Sequence, residues 1–176
     1  MDKNIWVVDD DESIRWVLDK GLSENGMDVQ TFDSANKVIK KLETENPHLI
    51  LTDIRMPGPS GIDLLDKVKE LRPDIPVIIM TAHSDLDSAV ESFEHGAWEY
   101  LPKPFDIEEA VSMVQRATTK DNTEIEETDE SQAEIIGEAP AMQEVFRAIG
   151  RLSSSNVSVL INGPSGSGKE LVARAL

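Results

Sequence analysis

The stretch LILTDIRMPGPSGIDLLDKV, residues 49–68, carries the pattern on which the fold turns. It opens on a short apolar run of strand length, Leu49 to Thr52. Asp53 follows at once, and from Ile62 the apolar residues return at helical spacing. The same alternation extends in both directions. Strand-like runs lie at Ile5 to Val8, Val29 to Phe32, Val77 to Met80 and Trp98 to Leu101. Helical periodicity marks Ser13 to Asn25, Ala35 to Thr44, Ile62 to Leu71, Leu86 to Glu94 and Ile107 to Thr119. Strands that each feed a helix predict a doubly wound α/β domain, a parallel sheet with helices on both faces. Ser84 with Asp87, and Asp106 with Glu109, read as capping boxes, and Gly26 reads as the stop of the first helix.

Composition narrows the classes. With 39% hydrophobic and 29% charged residues the chain is of ordinary globular type, and its longest apolar runs are strand-sized, too short to span a bilayer. The N-terminus, Met1-Asp2-Lys3-Asn4, lacks the regions of a signal peptide, and cysteine is absent, which predicts a cytoplasmic protein without disulfides. A formal net charge of -17 repels phosphate backbones, so direct DNA or RNA contact is expected elsewhere in any longer parent protein.

The chain divides into residues 1–119, an acidic linker at 120–134, and residues 135–176. Residues 121–134, DNTEIEETDESQAE, hold seven acidic and no basic residues, too little apolar surface to offset the entropy of ordering. After them Pro140 opens a helix to about Leu152, Val157 to Asn162 reads as a strand, and a Gly-rich loop and a further helix start follow. So short a segment is expected to hold only the opening pieces of a second domain.

In an open parallel sheet, ligands bind beyond the carboxyl ends of the strands. Asp9, Asp10 and Asp11 follow the first strand, Asp53 the third, Thr81 the fourth and Lys103 the fifth. In the order 2-1-3-4-5 the first and third strands are neighbours, roughly 4.8 Å apart, which converges Asp10, Asp11 and Asp53 on one small volume. Packed carboxylates repel, and Mg²⁺, which takes one or two carboxylates plus waters and phosphate oxygens, relieves that repulsion. Asp53 is then the candidate nucleophile for a phosphoryl group, Lys103 the cation for its equatorial oxygens, and Thr81 a hydroxyl donor. A cis Lys103-Pro104 bond would aim the lysine inward. A competing enzymatic reading takes Asp9-x-Asp11-x-Ser13 as the D-x-D-x-T of a haloacid-dehalogenase-like phosphatase with Asp9 as nucleophile. His48, His83 and His95 lack partners at metal spacing, and Trp6, Trp16 and Trp98 are expected in packing.

VVDDDESIR (residues 7–15), LTDIRMPGPSGIDLL (51–65), VIIMTAHSD (77–85) and the KPF of residues 103–105 occur in the order and context of a known family. Residues 1–119 resemble the receiver domain of two-component response regulators. The resemblance implies a flavodoxin-like, CheY-like (βα)₅ fold and phosphorylation of Asp53 by a sensor histidine kinase. It implies Asp10 and Asp11 as the acidic pair, Asp11 being the direct Mg²⁺ ligand, with the Arg55 main-chain carbonyl another. It makes Thr81 and Lys103 the switch threonine and lysine, and Tyr100 the aromatic switch residue. The fourth helix, fifth strand and fifth helix together become the face that changes partner, including self-association.

Gly163-Pro-Ser-Gly-Ser-Gly168-Lys169 lies between the apolar run and a helix start, the context of a phosphate-binding P-loop. Backbone N–H groups of Gly163, Ser165, Gly166, Ser167 and Gly168 can cradle phosphates, and Lys169 reaches the terminal ones. Glu170 stands where the common pattern has Ser or Thr, which removes the usual hydroxyl ligand of Mg²⁺. IIGEAPAMQEVFRAIGRLS (135–153) and GPSGSGKELVARAL (163–176) resemble the start of the AAA+ domain of sigma-54-dependent activators, where glutamate takes this place. The resemblance implies that ATP and sigma-54 polymerase are handled by a longer protein. This chain lacks the second acidic motif and arginine finger, so it is expected to be a switch and not itself an ATPase. A stand-alone ATP-binding module through Lys169 is the remaining alternative.

Overall fold

The computed structural model describes residues 3–82, 91–119, 140–153, 158–164, 167, 169, 172 and 173; the side chains of 140, 141, 143, 146 and 153 lie outside that description. The elements run β1 (Lys3–Val8), α1 (Glu12–Glu24), β2 (Met27–Phe32), α2 (Ala35–Lys41), β3 (Leu49–Asp53), α3 (Gly61–Leu71), β4 (Val77–Thr81), β5 (Glu99–Pro102), α4 (Ile107–Thr118) and α5 (Pro140–Ser153). The strands form one parallel sheet in the order β2-β1-β3-β4-β5. This is the expected doubly wound arrangement.

The inner strands β1, β3 and β4 carry apolar residues where both faces of the sheet are covered, whereas β2, at an edge, keeps Asp28, Gln30 and Thr31. Ile5, Val7, Leu49, Leu51, Ile78, Met80 and Leu101 point to one side, where Leu18 and Leu22 of α1 and Ala110, Met113 and Val114 of α4 close over them. Trp6, Val8, Ile50, Val77 and Ile79 point to the other, under Ala35 and Val38 of α2 and Leu64, Leu65 and Val68 of α3. Successive residues of a strand thus feed opposite layers.

Local chemistry sets the helix ends. Asp11 caps α1, its carboxylate accepting the Ser13 N–H at 2.8 Å. Gly26, at φ +78°, turns the chain into β2. Among the described residues the capping box is at α3, where Ser60 Oγ accepts the Asp63 N–H at 3.1 Å and Asp63 Oδ2 accepts the Ser60 N–H at 2.7 Å. That differs from the reading of the sequence. Asp106 sits at the N-cap of α4 but its side chain makes no capping hydrogen bond, and Ser84 with Asp87 lies outside the described residues.

Two further expectations fail. Trp16 is 62% exposed, since α1 turns Leu18 and Leu22 inward and leaves position 16 on the outer face, with the Lys20 ammonium 5.2 Å from its ring centroid. Residues 158–162, expected as a strand, have no regular structure, and Leu160 is 84% exposed. A strand needs a ladder partner for its N–H and C=O groups, and among the described residues none is paired with this segment. The acidic linker at 120–134 lies outside the described residues, as does most of the helix expected over Leu86 to Glu94; residues 91–94 are helical. No described helix is long and apolar enough to cross a membrane.

Candidate functional site

Strand register assembles the site. Val8 at the end of β1 is level with Phe32 and Thr52, Asp53 with Met80, and Thr81 with Pro102. Asp9, Asp53, Thr81 and Lys103 therefore stand at one edge of the sheet, where the β1 to β3 crossing leaves a crevice. Asp9, Asp53 and Thr81 are all buried.

Lys103 Nζ is the hub. It lies 2.6 Å from Asp9 Oδ2 and 2.7 Å from Asp53 Oδ1, bridging carboxylates from two strands. Its own N–H is donated to Thr81 O at 2.7 Å, and the Lys103-Pro104 bond is cis. The other carboxylate oxygens are also held: Asp53 Oδ2 accepts the Arg55 N–H at 2.8 Å, and Asp9 Oδ1 accepts the Asp11 N–H at 2.9 Å. Arg15 Nη1 donates to the Asp9 carbonyl at 2.7 Å, fixing the turn from β1 into α1.

Burial and charge oppose one another here. Burial pushes the Asp9 carboxyl above the usual range, against the pull of the Lys103 ammonium and the Asp11 N–H. Burial also works to lower Lys103, but hydrogen bonds to Asp53 and Asp9 outweigh it and hold the ammonium above its ordinary value. Lys103 thus stays charged.

The acidic triplet divides its labour. Asp9, read from the sequence only as an alternative nucleophile, is the member turned inward. Asp10 is exposed. Asp11, read as the direct metal ligand, is also exposed; its carboxylate is committed to the N-terminus of α1, where the Ser13 N–H lowers its pKa. A helix start in need of an acceptor competes with any ion for that carboxylate, and an aspartate just before the helix was the sequence signal for it.

Among the described residues no three His, Asp or Glu side chains are arranged as a metal cage. Mg²⁺ does not require one, since it keeps waters and takes phosphate oxygens. The donor chemistry fits: Asp9, Asp10 and Asp53 bring three negative charges, Lys103 one positive, so 3 − 1 leaves two negative charges, all on oxygen.

Gly61 is a site residue the sequence reading passed over. It starts α3, and a Cβ there would lie 2.0 Å from the Asp53 carbonyl oxygen. Helix and β3 approach so closely that hydrogen alone fits, and the Gly61 N–H donates to Ile54 O at 2.8 Å. Tyr100 is fully buried, packs with Phe93, and donates its N–H to Glu99 Oε1 at 3.1 Å.

At the Gly-rich loop Lys169 Nζ donates to Gly163 O at 2.7 Å and to Pro164 O at 2.6 Å. Ser165, Gly166, Gly168 and Glu170 lie outside the described residues.

A model of the response regulator receiver domain matches residues 5–115. The chain belongs to the response regulator receiver family. A model of the sigma-54 interaction domain matches residues 135–176, so a receiver is joined here to the start of that second domain. Among curated relatives, the DNA-binding transcriptional regulator NtrC of Proteus hauseri is 56% identical over 98% of this chain and 38% of its own length. That of Escherichia coli strain K12 is 54% identical over 98% of this chain and 38% of its own. This chain thus spans about two fifths of the length of the relatives it matches. Of solved receivers, the BeF3-activated receiver domain of Nitrogen Regulatory Protein C is 53% identical, with a TM-score of 0.59 over 66% of this chain and 95% of its own. A CheY-like receiver from Methanospirillum hungatei JF-1 is 30% identical, with a TM-score of 0.64 over 67% of this chain and 94% of its own. The beryllofluoride-activated NtrC4 receiver domain dimer is 35% identical, with a TM-score of 0.63 over 66% of this chain and 96% of its own.

Proposed function

We propose that this chain is a phosphoacceptor in which Asp53 takes a phosphoryl group from a sensor histidine kinase (NtrB-like), and that the phosphorylated state controls a sigma-54-dependent activator of nitrogen-regulated genes. The observation that carries the reading is the Lys103 ammonium held between Asp9 and Asp53 at the carboxyl ends of β1 and β3. An Asp53 oxygen attacks phosphorus as the phosphorus–nitrogen bond to the kinase histidine breaks, giving an acyl phosphate and a free imidazole. Lys103 moves from pairing a carboxylate to pairing the equatorial oxygens, so positive charge is already in place where negative charge arrives. Thr81, at the end of β4, offers a hydroxyl to the same group.

Asp9, Asp10, Asp53 and the Arg55 carbonyl are the groups that would hold Mg²⁺, which when bound neutralises charge on the transferred phosphoryl group. Asp11 is left as the cap of α1. Tyr100 and the face formed by residues 91–94, β5 and α4 relay the change and pair receivers, a reading supported by the similar beryllofluoride-activated NtrC4 receiver domain, which is a dimer. ATP binding through Lys169, contact with sigma-54 polymerase and with DNA, and the cytoplasmic setting belong to the longer protein; the receiver itself is a switch and no ATPase.

Intact-mass measurement with acetyl phosphate and Mg²⁺ tests this. One phosphoryl mass should appear, map to Asp53, and vanish in Asp53→Asn. Label that survives Asp53→Asn but is lost in Asp9→Asn would support the phosphatase reading instead.

A further inference from the structure

The turn from β1 into α1 carries three aspartates in a row, and the chain itself immobilises two of them. Asp9 donates its N–H to Phe32 O at 3.1 Å, and its carboxylate is shared between Lys103 Nζ at 2.6 Å and the Asp11 N–H at 2.9 Å. Asp11 accepts the Ser13 N–H on its carboxylate at 2.8 Å and the Arg15 N–H on its carbonyl at 3.2 Å. Asp10 stands between them, exposed, and among the described residues its carboxylate has no partner. It is the acidic group of the triplet left open to an ion.

Arg15 closes this turn from the helix side. It lies in the first turn of α1, and helical side chains lean back toward the helix N-terminus, so its guanidinium runs over that turn to the end of β1. There Nη1 donates to the Asp9 carbonyl at 2.7 Å. The choice of acceptor is informative. An arginine beside several aspartates ordinarily takes a carboxylate, with which its planar fork makes two parallel hydrogen bonds. Among the described residues Arg15 is ion-paired with none. Asp33, which follows β2, is bonded to Lys37 instead, and that bond holds its carboxyl below the usual range, with the charge of Arg15 adding to the effect. Anchoring a carbonyl has two consequences. It leaves the aspartate oxygens to Lys103 and to a cation. It also fixes the Asp9–Asp10 peptide, which is planar, and hence the direction in which Asp10 leaves the chain.

We propose that Arg15 is a positioning residue for Mg²⁺: its hydrogen bond to the Asp9 carbonyl sets the Asp9–Asp10 peptide plane and so presents the Asp10 carboxylate to the ion. The proposal rests on the reading above that Asp9, Asp10 and Asp53 hold the cation. Hydrogen-bonded groups that orient metal ligands are worth on the order of 10- to 100-fold in metal affinity. Coulomb's law pulls the other way, because a guanidinium beside the site repels a divalent cation, and removing its charge alone should tighten binding. The sign of the change therefore separates positioning from charge.

Calorimetric titration of the 176-residue chain with Mg²⁺ alone, without a phosphodonor, reads that sign. Arg15→Met should bind Mg²⁺ on the order of tenfold more weakly than the parent. Arg15→Lys, which keeps a charged donor on a stem of nearly equal length, should recover most of the loss. Labelling of Asp53 by acetyl phosphate should be displaced in Mg²⁺ concentration to the same extent in Arg15→Met, yet return close to the parent rate at saturating Mg²⁺. Binding by Arg15→Met as tight as the parent's, or tighter, would overturn the proposal. So would a labelling defect that saturating Mg²⁺ does not repair, or an Arg15→Lys chain that binds as weakly as Arg15→Met. Failure of the underlying metal reading looks different: the parent itself would bind no Mg²⁺, or Asp10→Ala would bind it as tightly as the parent.

Discussion

Replacing Gly61 by alanine puts two effects of opposite sign in competition. In a free helix the change is favourable by up to about 1 kcal/mol, because alanine loses less backbone entropy. In this structure the new methyl group would lie 2.0 Å from Asp53 O, 2.8 Å from Asp53 C and 3.0 Å from Ile54 Cα. Ordinary contact begins near 3.4 Å, so α3 and the end of β3 must separate by about 3.4 − 2.0 = 1.4 Å. The obstacle is main chain in a buried strand, with no rotamer to swing aside. Overpacking of this kind costs about 1–3 kcal/mol, and the backbone contact places Gly61 at the upper end. The net loss is about 2 kcal/mol, or about 4–8 °C in unfolding midpoint for a chain of this size. Thermal unfolding by far-UV circular dichroism measures it. Because Asp53 itself is displaced, labelling by acetyl phosphate should also fall, on the order of a hundredfold for a shift near 1 Å. A variant with a raised midpoint and undiminished labelling would show that α3 does not press on Asp53, and the account of the site would need rebuilding.

Removing the ammonium in Lys103→Met leaves Asp9 and Asp53 buried without their counterion, and urea unfolding should show a loss of about 3 kcal/mol, the low end for breaking a buried pair, together with loss of phosphate labelling. Asp10→Ala and Asp11→Ala should part company: the first weakens labelling at limiting Mg²⁺ by on the order of tenfold or more, while the second slightly lowers the unfolding midpoint and leaves Mg²⁺ dependence intact. His95 Nδ1 lies 2.7 Å from Asp66 Oδ1, and that hydrogen bond, with Glu91 and Glu94 nearby, raises the imidazole above its ordinary 6.5. A raised histidine stabilises fully below the unfolded value and loses its contribution as pH climbs through the folded one. The stability gap between the parent and His95→Gln should therefore be widest below the ordinary value of 6.5 and narrow as pH rises above it, and it should be small throughout because the pair is exposed.

Much of this was legible in the chain itself. Alternating apolar runs and amphipathic segments specify parallel strands and crossover helices, since each local pattern has only one way to bury its apolar side. Asp53, Thr81 and Lys103 stand out as candidates for the same reason: they sit where those runs stop. The triplet at residues 9–11 could not be resolved that way. β1 is buried on both faces, so no polar alternation shows which aspartate continues the inward path. The answer came from the pairing of Val8 with Phe32 and Thr52, and from the demand of α1 for a cap. Trp16 was misplaced because helical periodicity fixes a face only once the neighbours that cover it are known.

Sequence alone thus determined the order of elements, the parallel sheet and the strand ends at which chemistry collects, because these follow from short-range periodicity and the burial of apolar surface. Tertiary structure decided which carboxylates share Lys103 and why residue 61 has no side chain. Those outcomes depend on distances between segments far apart in the chain, and such distances are set by how whole layers pack.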